Sequence, residues 1–399
     1  MSTLRRIVVN DYAGHPFQIQ LSRQLAKSGC EVVHLYCSTN TTPHGDLAPG
    51  GLENLSVEGV STGSTFDKYS IVKRSWQEVL YGYRSARIHR RFGAEAILAA
   101  NVPVLAVLVI RMLAPKTNLV LWLQDIQAGI ASLTLNGPKR IVASIFTLME
   151  RSAIRSANAV VAIADSLAEE VVWLGVNAKD IEVIENWAPI DELPVLSKKN
   201  DWSVDRGLES KFVFLYSGTL GTKHRPELLL GLAEQYANIP DVRIVVVSEG
   251  KGADWLKSEV ERSSLGNVVF FPFQPYEQLP QVLATADVLV TVLEQQAGSF
   301  SIPSKVLSYL CSRRAILASL PAQNSCSELV ESRAKAGLAT AEDEIFYSYA
   351  DRLFADDALR REFGMNGREY AEETFEIEKI GVRFLELLTT SRGASHEWK

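Results

Sequence analysis

Short, unbroken apolar runs recur along the chain, and between them lie longer stretches whose apolar residues are spaced for one helical face. An unbroken apolar run marks a strand buried on both sides, as in a parallel sheet. The first half predicts strands at Arg6–Asn10, Glu31–Tyr36, near Val57, and at Ala96–Ala99, Leu119–Leu123, Ala159–Ala164 and Ile181–Ile184. The first helix runs from Phe17 to Ser28, with Phe17, Ile19, Leu21, Leu25 and Ala26 on one side and Gly29 as a natural stop. Further helices are predicted over Lys73–Arg91 and from about Val102, Pro138 and Ser166.

The alternation breaks at 191–210, where Pro194 and Ser197-Lys198-Lys199-Asn200-Asp201 read as an interdomain linker. It then restarts. Strands are predicted at Phe212–Tyr216, Val242–Val247, Val268–Phe271, Val288–Val292 and Ala315–Ala318. Helices begin near Pro226, Gly252, Tyr276, Ser304 and Asn324, and the chain from Ala341 to about Thr390 reads as helical. The division is 1–190, a linker at 191–210, a second domain over 211–375, and a last helix with its tail over 376–399. The fold class is α/β: two doubly wound parallel sheets facing across a cleft, with ligands at the carboxyl ends of the strands.

Composition narrows the function. A length of 399 residues suits two domains, and 47% hydrophobic with 22% charged residues is globular. A net charge of −6 argues against a dedicated nucleic-acid binder. Cys30, Cys37 and Cys311 sit in apolar runs and Cys326 shares no metal spacing with them, so buried thiols in a reducing, cytoplasmic compartment are expected. The N-terminus enters its first strand without a signal-peptide core. The most apolar window, Ala96–Leu113, is interrupted by Asn101 and Pro103 and does not read as a membrane span.

Candidate chemistry lies in the loops after the strands. In Glu294–Ser312, EQQAGSFSIPSKVLSYLCS, the strand ending at Val292 gives way to a polar loop with Glu294 and Ser301, then to a helix opened by Pro303-Ser304-Lys305. Pro is favoured in a first helical turn, Ser304 is placed to accept a free backbone N–H, and Lys305 adds charge, which together suit a phosphate. A solvated Lys at an ordinary corner is the plain alternative. Ser217-Gly218-Thr219-Leu220-Gly221-Thr222-Lys223-His224 follows the first strand of the second half. Its glycines admit close backbone approach, and Lys223 with Lys305 would converge on one diphosphate. Glu249 and Gly250 form a strand-end turn suited to ribose or a base edge. In the first half, Gly14 and His15 end one strand and Asp125 another. His15 is a candidate base or acceptor ligand and Asp125 a candidate for hydroxyl binding or proton transfer, or simply a helix cap. H-E-x-x-H, G-x-S-x-G, Walker and G-x-G-x-x-G signatures are absent.

The segments AGHPFQIQLSRQLAKSGCEV, WLQDIQ, VIENW, FLYSGTLGTKH, VSEGKG and FSIPSKVLSYLCSRRAIL resemble the retaining glycosyltransferases of the GT-B fold, family 4 type. Within them the chain is similar to bacterial colanic-acid, capsule and O-antigen sugar transferases. The resemblance implies a nucleotide-diphosphate-sugar donor held by the C-terminal half and an acceptor held by the N-terminal half. It implies a last helix crossing back to the N-terminal domain, and no metal or other cofactor. By the same resemblance Lys223 is a diphosphate ligand, Glu249 lies near the nucleotide, and Gly14 lies over the donor phosphates. Phe300 and Ser308 stand where many members have a glutamate pair. Gln124 replaces a frequent His and Thr219 a common Arg.

The reading is a metal-independent sugar transferase of surface-polysaccharide synthesis, acting on a saccharide or polyprenyl-diphosphate-linked saccharide at the inner face of the cytoplasmic membrane. The basic helix end Arg84–Arg91, with Lys139, Arg140, Arg151 and Arg155, is expected to face anionic lipid, or else solvent. A sugar-nucleotide 2-epimerase of the same fold and a non-catalytic partner subunit are the rivals.

Overall fold

A computed structural model of the chain describes residues 5–40, 46–64, 71–124, 126, 138–221, 224–294 and 304–390. The chain divides into two compact units, 1–185 with 376–399, and 186–375.

The first unit is built on a seven-stranded sheet in the order β3-β2-β1-β4-β5-β6-β7, every pair parallel. The strands are β1 (Arg6–Asp11), β2 (Glu31–Cys37), β3 (Leu55–Val60), β4 (Ala96–Ala100), β5 (Asn118–Leu123), β6 (Ala159–Ala162) and β7 (Ile181–Val183). Among the described residues the helices that accompany them are α1 (Pro16–Lys27), α2 (Ile71–Phe92), α3 (Val104–Leu113), α4 (Pro138–Arg155) and α5 (Asp165–Trp173). β4 reads AILAA and is buried throughout, because helices cover both faces of a parallel sheet. Strand order reverses between β1 and β4. The loops at their carboxyl ends therefore part and leave a crevice.

The last helix, Ile377–Thr389, belongs to this first unit. It packs on α1, β4 and β5. Phe384 lies against Trp122 at 4.7 Å between ring centroids, and both are fully buried. Asn118 donates to the carbonyls of Leu387 and Leu388 at 3.1 and 3.0 Å, and Arg383 pairs with Glu182 at 2.8 Å. A Cβ at Gly381 would stand 2.6 Å from Gln24 Cγ, so a larger residue would hold this helix off α1.

The second unit carries a six-stranded parallel sheet, β10-β9-β8-β11-β12-β13. Its strands are β8 (Phe212–Ser217), β9 (Val242–Val247), β10 (Val268–Phe271), β11 (Val288–Val292), β12 (Ala315–Ser319) and β13 (Gly337–Thr340). The order turns back between β8 and β11, which pair in parallel, so the strand ends leading to Gly218 and Glu294 are neighbours. β13 was not expected from the pattern. Its four residues, GLAT, carry no apolar run, and pairing with β12 makes them a strand. Gly337 is required there, since a Cβ would fall 1.9 Å from the Ile316 carbonyl oxygen.

Residues 191–210 carry their own ordered structure within this unit. A short helix, Asp201–Val204, is closed by a capping box between Asn200 and Ser203. Trp202 is buried under Arg206, which lies 4.3 Å from its ring centroid, and Lys198 pairs with Asp287. All four cysteines are buried and free. Among the described residues no helix is long and apolar enough to cross a membrane.

Candidate functional site

The second unit gathers several of the sequence candidates at the carboxyl ends of β8, β9 and β11. Gly218 follows β8 with φ +127°, a conformation that favours glycine, and its N–H donates to the Val247 carbonyl at 3.0 Å. The next turn is stitched to the loop after β9. Leu220 N donates to the Glu249 carbonyl at 3.3 Å and Gly252 N to the Leu220 carbonyl at 2.9 Å. Gly250 has φ +115°, and a Cβ on Gly252 would sit 2.7 Å from the Leu220 oxygen. The glycines thus let the two turns lie against each other, with Thr219 and Glu249 exposed on them. Glu249 Oε1 accepts from Phe273 N at 3.4 Å.

Lys305 opens the helix Lys305–Cys311, yet its side chain does not point into solvent. Its ammonium donates to the Tyr216 hydroxyl and lies 3.7 Å from that ring's centroid, beside Gly218. The Tyr216 hydroxyl donates onward to the Thr219 carbonyl at 2.8 Å. Burial pushes the Lys305 amine down to about 7, from an ordinary 10.5. A cation that is costly here while unpaired is ready to be stabilised by an anion. Tyr309 locks the surroundings: its hydroxyl accepts from Ser217 N at 3.0 Å and lies within bonding distance of the Ser217 and Val290 carbonyls.

Ser304 behaves differently from expectation. Its side chain makes no cap hydrogen bond, because Ser304 is already helical and its carbonyl, not its hydroxyl, receives Leu307 N at 3.2 Å. The helix has only seven residues, so the site rests on the Lys305 side chain more than on the helix end. Glu294 is half-buried at the end of β11. It adds to the field on Arg225, whose guanidinium is held above its ordinary range chiefly by its hydrogen bonds to Asp343, at 2.6 Å each. Ser301, Pro303 and Lys223 lie outside the described residues.

In the first unit, Gly14 has φ +78° and its N–H donates to Asp11 Oδ1 at 2.9 Å, with Ala13 N at 3.1 Å. Asp11 is buried, and burial pushes its carboxyl up to about 7 although the N–H groups of Gly14, Ala13 and His15 pull it down. His34 Nε2 is 3.7 Å away, but burial holds that imidazole near 3, so the contact involves a neutral ring. Ser22 bridges to its Nδ1 at 2.8 Å. This buried network holds the loop on which His15 is carried. His15 is half-buried and its ring stacks on Phe17 at 5.4 Å. Asp125 lies outside the described residues.

Beside that loop is a cavity of about 300 Å³, between the carboxyl ends of the strands, the N-terminal halves of α2 and α3, and residues 146–154 of α4. Arg74, Glu78, Asn101, Gln124 and Glu150 line it among apolar groups. Arg74 Nε is 2.8 Å from Glu78, and burial raises the Glu78 carboxyl. The sequence reading singled out Gln124 only as the replacement of a frequent His, and missed Arg74, Glu78 and Glu150 as site residues. The available signal was that Glu78 and Glu150 are the sole acids of two otherwise basic helices. Gly14 and His15 therefore belong to the first unit, while Gly218, Thr219, Glu249, Gly250, Glu294, Ser304 and Lys305 belong to the second.

Comparisons with known proteins bear on this architecture. The family model for a glycosyl transferase 4-like domain matches residues 18–187, and that for glycosyl transferases group 1 matches residues 198–370. The Escherichia coli (strain K12) protein described as the colanic acid biosynthesis glycosyl transferase WcaI is 25% identical over 247 residues. That match spans 61% of this chain and 60% of the relative's length. Among solved structures, sucrose-phosphate synthase of Thermosynechococcus elongatus superposes with TM-score 0.72 at 17% identity, covering 96% of this chain and 98% of that one. HepE of Anabaena, in complex with UDP and glucose, gives 0.71 at 17% identity, covering 96% and 99%. WaaG, a glycosyltransferase involved in lipopolysaccharide biosynthesis, gives 0.69 at 14%, covering 96% and 99%. With both units matched by glycosyltransferase models and both sheets parallel and doubly wound, the chain belongs to the GT-B glycosyltransferases and resembles the sugar transferases of colanic-acid and lipopolysaccharide synthesis.

Proposed function

We propose that this protein moves a sugar, with retention, from a nucleotide-diphosphate sugar to a saccharide acceptor in bacterial surface-polysaccharide synthesis. The observation that carries the reading is the Lys305 amine, desolvated against Tyr216 beside the Gly218 turn at the strand ends of the second unit. A donor diphosphate seated there would draw a proton onto that amine and pair with it. Thr219 and the Gly218–Gly221 backbone would lie along the phosphates, with Lys223 as a second cation. Glu249, Gly250 and Glu294 would take the nucleoside and sugar hydroxyls. HepE is described with UDP and with UDP-glucose, which makes a UDP-sugar the first donor to test.

In the proposed reaction the anomeric carbon loses its bond to the diphosphate oxygen and gains one to the acceptor oxygen on the same face. The acceptor proton passes to a donor phosphate oxygen. The protein's share is to position the two substrates and to stabilise the departing diphosphate. The acceptor would occupy the first unit's cavity, near Glu78, Glu150 and His15. Asp125 is assigned to an acceptor hydroxyl. A lipid-linked acceptor, with the protein on the cytoplasmic side and peripheral to the membrane, completes the proposal, which requires no metal or other cofactor.

The test measures donor turnover in Lys223→Ala and Lys305→Ala, with thermal shifts against GDP, UDP and their sugars. Each variant is expected to lose at least about tenfold, about 1.4 kcal/mol in the barrier. Near wild-type rates in both would sink the site assignment. Release of free epimerised sugar without acceptor would favour the epimerase. Donor binding without turnover would favour a non-catalytic subunit, the reading to which the missing glutamate pair at Phe300 and Ser308 points.

A further inference from the structure

Strand β4 ends at Ala100, and the next residue, Asn101, has φ +52°, in the left-handed region. That backbone is costly for any residue with a Cβ, and Asn tolerates it better than most. Neighbours on both sides fix the turn. Asn101 N donates to the Trp122 carbonyl of β5 at 3.4 Å, and Pro103 sets the entry to α3. Tolerance of the turn is one reason to find Asn here; the side chain supplies a second. It is half-buried and lines the cavity of the first unit, and among the described residues its amide makes no hydrogen bond. An amide so placed lacks bonds that a ligand can supply, and backbone strain kept beside a cavity is a mark of function.

The surroundings narrow the ligand. A side-chain amide offers a carbonyl acceptor and an NH₂ donor side by side, which matches two adjacent hydroxyls of a sugar ring. Val102, Val104, Val107 and Phe146 give the same cavity apolar walls suited to the C–H face of a pyranose. Its charged groups do not invite an anion. Arg74 is already paired with Glu78 at 2.8 Å, and Glu150 adds a second acid.

We propose that Asn101 is a specificity-determining residue, whose side-chain amide binds adjacent hydroxyls of a neutral pyranose seated in the first unit's cavity. This deepens the proposed acceptor role of the cavity and rests on that role for the pyranose's part in transfer; the binding itself does not.

The experiment uses the full chain with the methyl glycosides of glucose, galactose, mannose and glucuronic acid. Binding is read by saturation-transfer NMR, and transfer from UDP- and GDP-sugars is followed in parallel. Wild type is expected to bind at least one neutral glycoside and not the glucuronide. Asn101→Gly removes the amide and relaxes the left-handed backbone, so its unfolding midpoint should stay close to that of wild type. Its affinity for the neutral glycoside should nevertheless fall by about tenfold or more, two hydrogen bonds being lost. Asn101→Ala keeps the backbone strained, so its midpoint should drop while its loss of affinity matches that of Gly. Wild-type affinity in Asn101→Gly overturns the proposal, even if Asn101→Ala binds poorly, because the turn and not the amide would then matter. Preference for the glucuronide, or no glycoside bound by wild type, overturns it too. Transfer to a glycoside that persists in Asn101→Gly at the wild-type KM leaves the transferase reading intact and refutes only the role of Asn101. Binding lost with the amide, in a protein that transfers to no glycoside, refutes the transferase reading and leaves the pyranose site standing.

Discussion

Lys305→Met separates the two consequences of burying an amine at a binding site. Met keeps the length of the side chain and packs on the Tyr216 ring, while the Tyr216 hydroxyl keeps its bond to the Thr219 carbonyl at 2.8 Å. Unfolded, Lys305 holds its proton up to about 10.5; folded, it gives it up near 7. That gap corresponds to about 5 kcal/mol against the charged form. The side chain is half-buried rather than sealed, so solvent screening reduces the working figure to about 2–3 kcal/mol. Between the two values the unfolded chain binds more protons, so this residue makes wild-type stability rise with pH from about 7 to 10.5. Lys305→Met should therefore be more stable than wild type at pH 7, by about 2–3 kcal/mol less the lost hydrogen bond of about 1. The advantage should shrink toward pH 10. At the same time donor turnover should fall by about tenfold or more. Urea unfolding at several pH values, paired with turnover assays, reads both. A variant less stable than wild type at every pH would refute the reasoning, because Lys305 would then be a structural cation rather than one held ready for an anion.

Two more predictions concern the frame around the site. Phe384→Ala should cost about 3–5 kcal/mol, since it empties the space against Trp122 where the terminal helix joins the first sheet; a loss below about 1 kcal/mol in urea unfolding would show that this contact does not hold the helix. Gly218→Ala puts a Cβ at φ +127° and 3.1 Å from Lys305 Cε, so about 1–3 kcal/mol of strain and a weaker UDP thermal shift are expected; an unchanged unfolding midpoint would mean the turn relaxes freely.

Much of the fold was legible because parallel strands write themselves as apolar runs. Val288–Val292 and Ala96–Ala99 were visible for that reason, as were the helices that follow them. The strand Gly337–Thr340 was not, because small residues at a sheet edge carry no pattern until a neighbour pairs with them. Residues 191–210 looked like a linker from Pro194 and the polar run, yet Trp202 and Lys198 tie them into the second unit through partners at Arg206 and Asp287.

At the site, local chemistry determined which loops could bind phosphate: glycines that free the backbone, and lysines at strand ends. What Lys305 is was decided by tertiary structure. Lys305 read as the charge of a phosphate seat beside a Ser cap; folding turns it onto Tyr216, 89 positions away in the chain, and desolvation lowers its proton affinity. Asp11 and Glu78 gave no motif at all. Their partners Gly14 and Arg74 are close in sequence, but the burial that raises both carboxyls comes from the rest of the folded unit. Periodicity is a local property and is carried by the sequence itself, whereas proton affinity depends on solvent and on distant neighbours, and only the closed fold supplies those.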